Sequence, residues 1–345
     1  MDLQTEAITE KTRTGGKLHF AVFSNIDIVK YTAALCVIWV HLSYVLQIGN
    51  SFFVATLTHT AVPFFFVCSG LLMGWHARAD GDFSTYFRHK CLLFFRLWII
   101  WLVIYIPLDI VTELQGDYSL NSITRWILLT IGAGQGFCSW PLWYLFSSFI
   151  GCFIVSILCR KRQVLGAVII FISAAVVFVF VNKFSDILFG LFDIESKTYE
   201  YYFVFAAGRY LVGSIYISAG ILLSYLPFDK FSDWALCAAA TVLITIGCLM
   251  ADYNIMLNEL PRSIGVVVLA ICLPQIKIDT LQIRQQSMWI YFIHMYWIGC
   301  LQLLKLESQH VLFALLSYTL SIVSGYVLSK LVRHRHFTFL RKLIC

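Results

Sequence analysis

The sequence predicts an all-α integral membrane protein, a bundle of about ten transmembrane helices with both termini in the cytosol. Three observations lead there. Apolar residues make up 60% of the 345-residue chain and charged residues 13%, against about a quarter charged in a soluble globular domain; mean hydropathy is +0.80. The apolar residues gather into runs of about twenty, the length a helix needs to cross a bilayer. Finally, Lys and Arg alternate in density between runs. With the N-terminus inside, eighteen of the 25 fall on the inner side and five on the outer, with Arg96 and Arg209 left within runs. A wrong number of spans would invert every later loop and scramble that bias.

In chain order, residues 1–24 form a polar cytosolic tail with no apolar core, and so no cleavable signal peptide. Residues 25–331 form the membrane domain and residues 332–345 a cytosolic C-terminal tail. The runs fall at about 26–48, 55–75, 91–111, 140–158, 164–181, 203–226, 234–251, 262–274, 287–304 and 311–331. Ile123–Ile131 is apolar but too short to span, and the glycines that follow suggest an interfacial or re-entrant piece. The loops 112–139 and 182–202 are the longest and lie outside, where an external ligand would be met. The net charge of +6 reflects topology rather than affinity for nucleic acid. The eleven cysteines lie mostly inside apolar runs as small packing residues, without metal-ligand spacing. No metal is expected.

The first run carries ionisable residues, which are expensive inside a span and usually face a bundle interior or a watery cavity. Lys30 and His41 are eleven residues apart, so they share a helix face, with the histidine about 16 Å deeper. A snorkelling lysine and a hydrogen-bonded histidine are the bland readings of each alone; the pair on one face points to function. Asp27 lies about 21 Å along the helix from His41, too far to orient it, and is expected to pair with Lys30 or to set the helix entrance.

These residues also resemble a known family. Ile26-Asp-Ile-Val-Lys-Tyr-Thr-Ala-Ala34 followed by His41 resembles the opening motif of membrane acyltransferase family three, with Lys30 where the family norm is Arg. Pro63-Phe-Phe-Phe-Val-Cys-Ser-Gly-Leu-Leu72 resembles its second-helix motif. Arg96 matches one arginine of a third-helix Arg-x-x-Arg; the other position is Leu93 here, and Lys90 is the nearest substitute. Trp140-Pro-Leu-Trp-Tyr-Leu145, Arg209 with Gly220, and Trp289-Ile-Tyr-Phe-Ile-His294 resemble later motifs, in order along the chain.

The resemblance implies transfer of an acyl group, usually acetyl, from a cytosolic coenzyme A thioester to a hydroxyl of a cell-surface or lipid-linked glycan, in a bacterial inner membrane. Acetyl-CoA, or another acyl-CoA, is then a donor substrate rather than a bound cofactor. Counting from the ends of the runs puts Lys30, Ser69, Arg96 and His294 in the cytosolic third, and His41 and Arg209 toward the outer half. On this reading His41, Lys30 and Arg209 are the catalytic candidates: His41 as general base, Lys30 toward the donor phosphates, Arg209 toward the acceptor or the developing oxyanion. Arg96, Lys90, Ser69, His294 and Trp143 are substrate-binding candidates. Ser69 before Gly70 also suits simple helix packing, and the Arg333–His336 cluster reads as a cytosolic anchor. The rival class is a transporter or flippase using Lys30, His41 and Arg209 as relay and anion site. It would more often show Gly/Pro-broken helices in corresponding halves, and no such pair is found.

Overall fold

A computed structural model describes residues 17–114, 120–183, 207–250, 255–274, 276 and 280–344. Each of the ten apolar runs falls on an α-helix. These are α1 (Lys17–Val45), α2 (Phe52–Asp80), α3 (Phe83–Asp109), α5 (Trp143–Leu158), α6 (Gln163–Lys183), α7 (Ala207–Leu223), α8 (Asp233–Leu249), α9 (Ile255–Cys272), α10 (Thr280–Leu303) and α11 (His310–Leu331). The short apolar piece forms α4 (Leu120–Ala133), and no strand occurs among the described residues. Among the described residues five helices are long and apolar enough to cross a membrane: α1, α2, α3, α5 with the 3₁₀ turn before it, and α11. Three more, α6, α7 and α8, are apolar but shorter over the described residues.

Local chemistry sets the helix ends. Ser51 caps α2 through the amide of Val54, and Gly81 ends it in the left-handed region at φ 84°, where an L side chain is disfavoured. Asp82 then caps α3; hydrogen bonds from the Thr85 hydroxyl and amide hold its carboxyl below the usual carboxylate range. At the far end of α3, Pro107 precedes a π-helical stretch over Ile110–Leu114, as expected where proline removes a ladder donor.

Six helices close a ring by their contacts: α10 on α1, α1 on α2, α2 on α7, α7 on α5, α5 on α3, and α3 back on α10. On these helices Phe64, Phe66, Tyr105, Tyr216 and Trp289 are all almost fully buried. Outside the ring, α6 lies on α7, α11 on α10, and the α8–α9 pair is attached through α9 to α1 and α2. Apolar solvation cannot drive helices together within lipid, so close backbone approach and polar contacts hold such a ring. The α2–α7 crossing shows the first. A methyl group added at Gly70 would collide with the carbonyl of Ile217, and one at Gly220 with the carbonyl of Val67 and with Gly70 itself.

The α1–α10 contact shows the second. The Asp27 carboxylate, 1% exposed, accepts from Nε of Arg284 at 3.1 Å on both oxygens and from a terminal guanidinium nitrogen at 2.8 Å. This corrects the expected pairing of Asp27 with Lys30: the partner comes from another helix, which sequence spacing cannot reveal. Lys30 instead reaches the thiol of Cys68 on α2. Beside it, Asn25 ties α1 to the segment that follows α9 by donating to the carbonyls of Leu273 and Pro274 and accepting from the amide of Ile276.

Two further expectations shift. Helix α10 begins at Thr280, seven residues before its apolar run, because Gln282, Arg284, Gln285 and Gln286 make its first two turns polar and Arg284 finds its partner on α1. Helix α9 likewise begins at Ile255, so Arg262 is not in an outer loop but 4% exposed within the bundle. The C-terminal segment packs against the bundle: a 3₁₀ stretch over Arg335–Leu343 follows α11, Trp101 donates to the carbonyl of Leu343 at 2.7 Å, and Ile344 is buried. The expected external loop 182–202 lies, but for Asn182 and Lys183 at the end of α6, outside the described residues.

Two stability outcomes follow. Gly70→Ala and Gly220→Ala should each cost about 1–3 kcal/mol by overpacking the crossing, whereas Gly49→Ala, with nothing within 4 Å, should leave the thermal midpoint in detergent unchanged. Asp27→Ala should destabilise by about 3–5 kcal/mol by stranding the Arg284 charge; equal stability of Asp27→Ala and wild type would show that the pair does not hold α1 to α10.

Candidate active site

Helix α1 carries Lys30 and His41 on one unbroken helical segment, so their separation of about 16 Å is retained. His41 is half-buried. Its imidazole stacks on that of His294, with ring centroids 5.2 Å apart and planes 29° apart. Trp140 meets the same ring at 5.6 Å and Tyr44 packs edge-on against Trp140 at 4.9 Å. His294 therefore lies at the level of His41, which corrects its expected place in the cytosolic third. The reason is the early start of α10: from Thr280, His294 is about 21 Å along the helix, twice the depth counted from the apolar run.

His294 is fully buried. Its Nδ1 lies 3.1 Å from the carbonyl oxygen of Ile290. That oxygen can only accept, so Nδ1 carries the proton and Nε2 presents a lone pair. Nε2 has no hydrogen-bond partner among the described residues. A buried acceptor left in this way costs free energy, and a hydroxyl or amide donor of a bound substrate would satisfy it.

A run of rings leads away from the two histidines. Tyr291 meets His294 at 6.2 Å, Tyr144 meets Tyr291 at 5.6 Å and Phe66 meets Tyr144 at 4.5 Å. The Tyr144 hydroxyl bonds to that of Ser69 at 2.9 Å, so Ser69 is tied into this chain, while Gly70 beside it makes the α2–α7 crossing. Trp143 packs on Phe66 at 5.5 Å; Trp140, three residues earlier, is the tryptophan that touches His41. The Tyr291 hydroxyl donates to the carbonyl of Pro141 at 3.0 Å and so fixes the 3₁₀ turn Trp140–Leu142 that presents Trp140.

The remaining candidates are spread along the bundle. Lys90 is half-buried with its ammonium over the Tyr86 ring at 5.2 Å. Arg96 is exposed on α3. Arg209 is in the first turn of α7, and its side chain lies outside the described residues.

Two buried carboxylates escaped the sequence reading. Asp109, 1% exposed at the end of α3, accepts from the Trp126 indole of α4 at 2.9 Å and from the Cys138 amide at 2.6 Å. Gly136 packs so closely on it that a side chain there would displace the carboxylate. With Trp98 donating to the carbonyl of Gly134 at 2.7 Å and Gly134 itself at φ 72°, these contacts tie down residues 134–139, which lead directly into Trp140. Glu259 of α9, 8% exposed, accepts from the Tyr216 hydroxyl at 3.4 Å and lies 3.8 Å from Nδ1 of His59. The signal for both was available: each is an ionisable residue within or beside an apolar run, the criterion that singled out His41. Among the described residues no three His, Cys, Asp or Glu groups converge as metal ligands.

Comparison with known proteins places the chain in a family. The chain is similar to an amino-acid racemase of Enterococcus faecalis, 26% identical over 172 residues, which are 49% of this chain and 22% of that protein. The chain thus spans about a fifth of that relative's length, and no solved structure matches. An acyltransferase domain matches residues 23–332, from the first turns of α1 past the end of α11. With that match over nearly its whole length, the chain belongs to acyltransferase family three.

Proposed function

We propose that this membrane acyltransferase moves an acyl group, acetyl foremost, from cytosolic acyl-CoA to a hydroxyl of a cell-surface or lipid-linked glycan. In this reading the ten helices all span a bacterial inner membrane with both termini cytosolic. The observation that carries the reading is the stacked His41–His294 pair, set beneath Trp140 at the outer part of a helix whose inner part bears Lys30.

The chemistry then runs as follows. The thioester enters from the lysine side, its phosphates met by Lys30, Lys90 and Arg96. Pantetheine extends along α1 toward His41. Neutral His41 takes the proton of the acceptor hydroxyl as the oxygen attacks the thioester carbonyl. The carbon–sulfur bond breaks, and the departing coenzyme A thiolate takes the proton back from the imidazolium. His294 presents its Nε2 lone pair to a substrate donor, Ser69 and Trp143 line the approach, and Arg209 serves the acceptor or the oxyanion. Asp109 and Trp126 position Trp140 over the histidine by holding residues 134–139. Transport has no comparable support: no observation on the molecule favours it.

Purified protein incubated with labelled acetyl-CoA and candidate glycans should consume thioester, and His41→Ala should slow this at least about 100-fold. Equal consumption by His41→Ala and wild type would refute the His-centred mechanism. Asp109→Asn offers one carbonyl oxygen where two donors now find a carboxylate. It should lower the turnover number about 10- to 100-fold through misplacement of Trp140; unchanged turnover would remove Asp109 from the positioning role.

A further inference from the structure

Helices α8 and α9 are consecutive and pack against each other along their length. The seam is tight. A side chain on Gly265 would meet the Ala240 carbonyl oxygen and the Ile244 side chain, each at 2.7 Å. Residues 237, 240 and 244 of α8 recur at helical spacing along one stripe, and residues 265, 269 and 272 of α9 along the facing one. Cys237 and Cys272 stand at the end of this seam with their Sγ atoms 3.2 Å apart. Both are free thiols, Cys237 half-buried and Cys272 8% exposed. The other contact of Cys272 is a long approach to the carbonyl of Leu269 at 3.6 Å.

We propose that Cys237 and Cys272 form a redox-active dithiol, a modification site that closes to a disulfide and clips α8 to α9. The distance selects this chemistry over metal binding. Two thiolates on one tetrahedral zinc stand about 3.8 Å apart, and no third ligand joins them among the described residues. A disulfide needs the sulfurs at about 2.05 Å, so closing the gap asks for a movement of about 1.2 Å. The seam supplies the alignment, because Gly265 holds the helices close and the paired stripes keep the two thiols opposed.

The reaction requires an oxidising small-molecule disulfide. The thiolate of Cys237, the more exposed of the two, attacks one of its sulfurs, forms a mixed disulfide and expels one thiolate. The Cys272 thiolate then attacks the Cys237 sulfur and expels the second. The two cysteine protons end on the two departing thiols, and the small disulfide takes up the two electrons. The pair lies one turn into α8 and at the last residue of α9, on the side that the charge bias marks as cytosolic. A reducing compartment keeps both groups as thiols at rest.

The test uses the full chain in detergent or nanodiscs, treated with oxidised glutathione and then alkylated under denaturing, non-reducing conditions. Two of the eleven cysteines should escape alkylation, the mass falling short of the fully alkylated reduced chain by two adducts and two hydrogens, with a peptide link joining Cys237 to Cys272. Cys272→Ser should stop at a glutathione adduct on Cys237, and Cys237→Ser should form no link. Eleven alkylated cysteines in the oxidised wild type, or the same loss of two in the Cys237→Ser/Cys272→Ser double variant, would overturn the proposal. Acyl transfer is not the readout, so the result stands apart from the proposed function.

Discussion

The pairing of Asp27 with Arg284 sets the register on which the rest of the bundle depends. Both α1 and α10 begin at the same end of the molecule, so the ion pair fixes how far one slides along the other. His41 lies about 21 Å beyond Asp27, and His294 about 15 Å beyond Arg284. The difference of about 6 Å is comparable to the reach of an extended arginine side chain, and the two imidazoles arrive at one level and stack. The pair is bidentate and its carboxylate almost wholly buried. Planar two-point geometry of this kind defines orientation as well as attraction. A sliding contact between apolar faces has no equivalent means of choosing one register.

Around that joint the ring of six helices resolves the difficulty of folding in lipid, where burying apolar surface confers little advantage. At the α2–α7 crossing, Gly70 and Gly220 let backbones approach until dispersion contacts carry the association. The polar tips of buried aromatic rings find carbonyls: Tyr105 on Phe292, Tyr291 on Pro141, Trp101 on Leu343. These bonds cross between segments distant in sequence. They lock the rotation of α10 in particular, and with it the direction in which His294 points.

The site has one rigid side and one built from irregular chain. Lys30, His41, Ser69, Tyr291 and His294 stand on long helices. Trp140 comes from a short 3₁₀ turn at the end of a segment held by Asp109, Trp126 and Trp98. Irregular backbone at this depth needs partners for its exposed amides, and the Asp109 carboxylate supplies one for Cys138. The same contact determines where Trp140 sits. Stability of the loop and geometry of the site are therefore one requirement.

Much of this protein was legible in the sequence, because a membrane imposes strong local rules. Each apolar run found by hydropathy falls on a helix among the described residues, since an unpaired peptide group in lipid is so costly that an apolar run has little alternative to helix. Helical periodicity put Lys30 and His41 on one face, and the order of motifs identified the family that the match over residues 23–332 bears out. What sequence could not decide was which helices touch and at what height. Hydropathy misplaced the starts of α9 and α10 because it treats Arg284, Glu259 and Arg262 as solvent-seeking, when other helices provide their partners. It left His41 without a neighbour, because His294 is 253 positions later in the chain. Composition and spacing are properties of one segment; a partner on another helix exists only once the bundle has closed, and there the tertiary structure decides.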